Sequence, residues 1–348
     1  MVAGIELGKQ YAQVCVKTES MKDAESVTKI AGTEHYRIPV EVNIEDKSKL
    51  QELFRTLWKM LTPYGNRESL EYLVFCLEDN SEKMREMLLE IVQIYNLPAE
   101  KVRFLDKSES FCAYVLHQGG DLLAHNALLV ENKEGKKDKL ILHKRSNTIP
   151  QVTEVRDISE KSLESIFTDH AISSVFLVGD DFEEEWLQKN LKLLKTGRRV
   201  FLGKNLYVKG ACYRGLELKE KTQNYLYLGA EKVCCNIVLK AEHAGEETYL
   251  PVLEGGKNWY ESGNSLEVIL LDEPVLEFAI IPINGREKKI MVVHLEGLPE
   301  RPKKTTRLRI DLEVLSPTGG KLKIQDMGFG ELFPQSDMVY EGELQWDS

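Results

Sequence analysis

The chain has 348 residues, 42% of them hydrophobic and 29% charged, and a formal net charge of −10. This is the composition of a soluble globular protein with room for two domains. The acidic balance argues against a general nucleic-acid or membrane-surface binder and leaves room for a local basic patch, and no apolar run approaches the roughly 20 residues that cross a bilayer.

The N-terminus lacks a basic segment followed by an apolar stretch and a small-residue cleavage site, so the expected compartment is the cytoplasm. Six cysteines (Cys15, Cys76, Cys112, Cys212, Cys234 and Cys235) form no C-x-x-C pair and read as buried free thiols. Adjacent Cys234 and Cys235 would face opposite sides of a strand, a poor metal pair. No H-E-x-x-H or G-x-S-x-G spacing occurs. Gly4-x-x-x-Gly8-Lys9 falls one residue short of the Walker spacing and lacks its Ser or Thr. No metal site and no catalytic residue is therefore assigned.

In chain order, Met1 to Val16 reads as a hairpin: Val2, Ala3 and Ile5, a Leu7-Gly8 turn, then Ala12, Val14 and Val16 in alternation. Glu6 stands just before the turn. A turn of this kind can aim backbone N–H groups at a phosphate, with the carboxylate near a hydrated metal. A strand is expected around Tyr36 to Val42. A helix fits Lys47 to Leu61, with Leu50, Leu53, Phe54 and Leu57 on one stripe. Tyr72 to Leu77 reads as a strand buried on both faces. A helix follows from Ser81, its N-cap, to Tyr95. Val102 to Leu105 is a strand and Ser108 to Leu116 a helix. Strands follow at Ala127 to Glu131, Leu140 to His143 and Val175 to Val178, with helices at Glu160 to Thr168 and Phe182 to Leu194. Gly203 to Gly215 reads as a loop and helix start.

Past the polar stretch Lys219 to Asn224 the helical period disappears. Short strands recur at Cys234–Lys240, Glu247–Val252, Ser265–Leu271, Leu276–Pro282, Ile290–Leu295, Arg307–Leu315 and Lys321–Asp326, with Gly turns between them. The expected architecture is an α/β domain over 1–220 followed by an antiparallel β-sandwich over 225–348.

Several of these stretches resemble, in order, the actin, hexokinase and heat-shock ATPase superfamily, whose fold is ribonuclease H-like and two-lobed. Glu6-Leu7-Gly8-Lys9-Gln10 resembles its first phosphate loop, Asp-Leu-Gly-Thr-Thr. Glu131 to Lys136 stands where the second, Asp-Leu-Gly-Gly-Gly-Thr, is expected. Val175 to Gly179 with Asp180 resembles the adenosine loop. Gly210-Ala211-Cys212 resembles the start of the second connecting helix. His294 to Pro302, a long strand, a Gly turn and Lys321 to Gln325 resemble the sandwich of the seventy-kilodalton heat-shock chaperones, without their helical lid.

The resemblance implies a nucleotide site, for ATP or ADP with magnesium, at Glu6, Gly8, Lys9, Gln10, Glu131, Gly135, Gly179 and Asp180. It also implies a sandwich groove for an extended apolar peptide. The departures count against the chemistry. Glu replaces the metal-associated Asp, only Gly135 remains of the second loop's glycines, and Asp180 puts a charge where a backbone should lie. The expectation is a heat-shock-like, non-catalytic module with a degenerate nucleotide site that binds a peptide or partner protein, and neither nucleic acid nor membrane. An active ATP-hydrolysing chaperone and an assembly scaffold are the alternatives.

Overall fold

A computed structural model describes residues 1–28, 38–40, 46–133, 135–145, 149–179, 182 and 184–346. The chain forms two compact units, Met1–Tyr227 and Leu228–Ser348, and contains several sheets with mixed α/β content.

The first unit runs through one path twice. Its first half is β1 (Val2–Leu7), β2 (Tyr11–Lys17), β3 (Glu25–Ser26), β4 (Ile38–Pro39), α1 (Lys47–Leu61), β5 (Tyr72–Leu77), α2 (Glu82–Ile94), β6 (Val102–Asp106) and α3 (Lys107–His117). Its second half is β7 (Asn126–Lys133), β8 (Lys136–Arg145), β9 (Gln151–Val155), α4 (Leu163–Asp169), β10 (Ile172–Gly179), α5 (Glu184–Lys195), β11 (Arg199–Gly203) and α6 (Leu206–Glu220). The first sheet has the order β3-β2-β1-β5-β6, with β4 also on β2. The second has the order β11-β10-β7-β8-β9 and ends on β12 (Leu226–Leu228). In each, an antiparallel meander is followed by two strands parallel to the first.

The helices form where side chains can close their first turns. Asp46 accepts the amides of Ser48 and Lys49 at 3.1 and 3.2 Å, Ser81 that of Met84 at 3.4 Å, and Asp106 that of Glu109 at 2.7 Å. Leu50, Phe54, Leu57 and Leu61 give α1 its buried stripe. Their packing sets five layers. Residues of α1 and α2 share a core with one face of the first sheet. Residues of α3 and α6 share a core with Val74 and Cys76 of the first sheet and Ala127 and Leu129 of the second. On the outer face of the second sheet, Leu163 and Leu194 of α4 and α5 pack with Leu128 and Val175. Gly210 lets α6 lie against α3, since a Cβ there would stand 1.9 Å from the Ser110 carbonyl oxygen.

The second unit carries β13 (Cys235–His243), β14 (Glu246–Leu253), β15 (Gly263–Leu270), β16 (Val275–Pro282), β17 (Lys289–His294), β18 (Thr306–Ser316), β19 (Gly319–Gly328) and β20 (Val339–Gln345). They form two antiparallel four-stranded sheets, β14-β13-β16-β17 and β15-β18-β19-β20. One core holds residues of both, among them Ile237, Phe278, Ile310 and Ile324. The only helical piece among its described residues is a single 3-10 turn, Trp259–Glu261.

Several elements differ from the sequence expectations. Gly203 ends a strand, β11, rather than lying in a loop. β9, β11 and β20 had no sequence counterpart. Of Tyr36 to Val42, only Ile38–Pro39 is a described strand, and 36–37 and 41–42 lie outside the described residues. The polar stretch at Lys219 is the end of α6, closed by Lys221 in the left-handed conformation at φ 54°.

Candidate functional site

The C-terminal ends of parallel strands are where α/β sheets place their sites. Here those ends gather charge. Glu6 lies near the end of β1, Glu78 directly follows β5, Lys107 directly follows β6, and Glu131 lies near the end of β7. Glu6 is fully buried because β1 is covered on both faces. Tyr11, across the hairpin, donates its hydroxyl to Glu6 Oε1 at 2.8 Å.

Two lysines tie the carboxylates together. Lys107 Nζ lies 2.9 Å from Glu131 Oε1 and 3.8 Å from Glu78 Oε2. Lys133 Nζ lies 3.3 Å from Glu78 Oε1 and 3.4 Å from Glu131 Oε2. The side chains of Lys107, Glu78 and Glu131 are 14%, 18% and 11% exposed, so water screens these pairs weakly. Burial by itself would lower the Lys107 pKa, but Glu131, Glu6 and Glu78 outweigh it and hold the ammonium above its ordinary value. Burial works to raise Glu78, and Lys107 with the Lys9 amide reverses it, leaving the carboxyl below the usual range. Lys107 Nζ also sits 5.1 Å from the centre of the Tyr207 ring. Burial, then Glu131 and Glu6, push the Tyr207 phenol well up.

The loop after β1 is spent on itself. The Gly8 amide donates to the Tyr11 carbonyl at 2.9 Å, and the Lys9 amide donates to Glu78 Oε2 at 2.9 Å. Two amides of the loop expected to cradle a phosphate are thus engaged within the protein. The cavity beside Gly8 and Lys9 measures about 30 Å³, room for about one water. Lys9 is exposed, and Gln10 accepts the Val40 amide at 2.9 Å through its backbone carbonyl.

The remaining expected residues divide. Glu131 joins Glu6 in the network. Gly135 lies in the β7–β8 turn at φ +85°, with open space around its Cβ position. Gly179 closes β10 against β7: it has φ +114°, and a Cβ there would stand 2.3 Å from the Asn132 carbonyl oxygen. That requirement is one of strand packing. Asp180 lies outside the described residues. Lys133, in the β7–β8 hairpin, pairs with Glu78 and Glu131. Lys107, Glu78, Tyr11 and Tyr207 had no role in the sequence reading. One signal was present: Lys107 opens a helix, where a cation opposes the dipole and so needs a compensating partner.

The residues present do not fit a nucleotide tail. Lys107 and Lys133 are paired with Glu78 and Glu131, and the Gly8 and Lys9 amides are already bonded within the protein. Among the described residues no group of three or more His, Cys, Asp or Glu is arranged to hold a metal.

The molecule is thus an α/β unit of duplicated topology followed by an all-β unit. The chain belongs to the family described as "Family of unknown function (DUF5716) C-terminal", which matches residues 24–230. A second family, "Domain of unknown function (DUF8552)", matches residues 232–346. No curated protein matches the chain. Among solved structures, it is similar to an inorganic polyphosphate/ATP-glucomannokinase from Arthrobacter sp. strain KM at 8% identity and a TM-score of 0.39, over 62% of this chain and 98% of that one. It is also similar to a ROK hexokinase from Thermus thermophilus at 10% identity and a TM-score of 0.35, over 61% and 96%. A third is an uncharacterized protein with similarity to peptidase YEAZ from Pseudomonas aeruginosa, at 8% identity and a TM-score of 0.34, over 63% and 91%. None of the three is described as a heat-shock chaperone, and the heat-shock identity that the sequence suggested is not shown. Among the described residues no helix is long and apolar enough to cross a membrane.

Proposed function

We propose that the first unit is an actin-like ATPase fold whose nucleotide cleft has become a structural lock, and that the chain works as a non-catalytic protein-binding module. The observation that carries this is the pairing of Lys107 and Lys133 with Glu78 and Glu131 at the strand ends, beside a loop whose Gly8 and Lys9 amides are already bonded. Catalysis of phosphoryl transfer depends on preorganised donors and cations aimed at the phosphate, each worth several kcal/mol of barrier. Here the corresponding groups are aimed at the protein.

The binding surface is the outer face of the β14-β13-β16-β17 sheet. Tyr249, Ile281, Ile290 and Val292 are exposed there. Val238 pairs with Ala279, and Ala279 with Ile290, so an apolar row runs across the sheet. Among the described residues β17 pairs with β16 and ends the sheet, which leaves an edge on which an extended segment can add a strand. The occupant on this reading is an extended apolar peptide or the apolar strand of a partner protein, as in a heat-shock-type sandwich.

The test uses the full chain and a library of fluorescent extended peptides, read by anisotropy. Saturable binding of apolar peptides that Val292→Lys abolishes is the expected result. Binding that ignores this substitution, or no binding, removes the sandwich face from the account.

A further inference from the structure

We propose that a concavity at the end of the second sheet opposite the ion-pair network binds a small phosphate-bearing anion. It measures about 670 Å³ and is lined by Asp121, His125, Phe167, His170, Arg198 and Arg199, among others. That size lies within the range of small-molecule sites, roughly 300–1,000 Å³. His125 directly precedes β7, His170 stands shortly before β10, and Arg199 begins β11. The concavity therefore sits at the strands' N-terminal ends, whereas Glu131 stands near the C-terminal end of β7. The two sites are chemically opposite, one acidic and one basic.

Four cationic or cationisable side chains face one acid here, in a chain whose net charge is −10. The acid engages loosely: Asp121 Oδ2 lies 3.7 Å from an Arg199 nitrogen, and both side chains are largely exposed, at 87% and 63%. Arg198 is held rigidly. Its Cζ stacks 3.8 Å over the Phe167 ring, and Nη1 donates to the carbonyls of Leu193 and Thr196 at 3.1 and 2.9 Å. Its buried Nε has no hydrogen-bond partner. A guanidinium fixed in this way spends little entropy on meeting an anion. Burial first, then Arg145 and His170, lower the pKa of His143 on β8. Forked guanidinium groups beside imidazoles suit the two charges and several acceptor oxygens of a phosphate.

The experiment titrates the full chain with inorganic pyrophosphate, followed by calorimetry and by the histidine ring resonances in NMR. The expected result is saturable binding that moves the His125 and His170 signals. Arg199→Glu should weaken it by at least about tenfold, since it removes one charge-assisted bond and sets a carboxylate against the anion. Arg199 is exposed, so the melting temperature of this variant should match the parent. His170→Gln gives an independent second reading if it does not. No saturable binding at millimolar concentrations overturns the proposal. So does binding that both variants leave unchanged, which would put the anion elsewhere, including at the strand-end network.

Discussion

Lys107 Nζ stands 2.9 Å from Glu131 Oε1, joining the first residue of the helix that leaves one sheet to the first strand of the next. The pair is poorly screened, and Glu6 and Glu78 reinforce it. Lys107→Met should therefore cost about 2–3 kcal/mol, the scale of a lost hydrogen bond to a buried charge. Chemical denaturation measures it. Combining it with Glu131→Gln should return part of that loss, with a coupling of about 1–2 kcal/mol. Strict additivity would mean that the lysine does not act through Glu131.

Gly210 is where α6 comes up against α3. A Cβ there would meet the Ser110 carbonyl oxygen at 1.9 Å, and backbone cannot swing aside. Gly210→Ala should destabilise the protein by roughly 2–4 kcal/mol, despite alanine's higher helix propensity. Thermal melting checks this, and an unchanged or raised midpoint would contradict the close approach.

Asp106 makes stability depend on pH. Burial first, then the charge of Glu154, raises its pKa from 3.8 to about 7. Glu109 adds to the rise, while the Glu109 amide and Arg156 oppose it. A raised acid favours the protonated folded form. Its stabilising contribution is complete below the unfolded value near 4 and is lost as pH rises toward about 7. The melting temperature should show this decline between those limits. Asp106→Asn keeps an acceptor for the Glu109 amide and should flatten it. Asp326 acts in the opposite sense at lower pH. Its pKa falls from 3.8 to about 2, so its contribution is lost as pH drops through that interval.

The second unit has its own buried ion pair. Arg301 grips Asp326 with two bonds, Nη1 to Oδ1 at 2.9 Å and Nη2 to Oδ2 at 2.7 Å, and the side chains are 6% and 0% exposed. Ser336 and Gly328 supply further donors to the same carboxylate. Arg301→Ala leaves that charge without its cation and should cost about 3–5 kcal/mol. Arg301→Met with Asp326→Leu should cost less than Arg301→Ala, because no charge is then stranded. Urea denaturation of the three variants orders them.

Local pattern made much of the fold legible. The boundaries of α1 and the N-cap of α2 follow from apolar spacing and a capping side chain, and both need only neighbours in sequence. β5 was readable because six apolar residues in a row suit a strand buried on both faces. β11 was not, because its side chains are exposed or half-buried and its helix-flanked segment is short. β20 carries mostly exposed and half-buried residues, which leaves little hydrophobic alternation to read. The duplicated path of the first unit was hidden for a different reason: strand order is a property of pairing between distant segments.

The site was legible in part. Glu6 and Glu131 were singled out from a resemblance, and both stand at the strand ends. What fills the space around them was not readable. Lys107 and Glu78 lie in different segments, and only the fold brings Lys107 to Glu131 and Glu78 to Lys133. Arg301 belonged to the block that suggested the heat-shock sandwich, and its structural reason is the partner on β19.

The measurement that bears most directly on the central claim is titration calorimetry of the full chain with ATP and with ADP in the presence of magnesium, paired with an assay for released phosphate. Engaged loop amides and lysines that face carboxylates predict no turnover above background and, in the Arg199→Glu variant that disables the basic concavity, no saturable heat at millimolar nucleotide. Micromolar binding accompanied by hydrolysis would contradict the account and return the strand ends to service as an ATPase site.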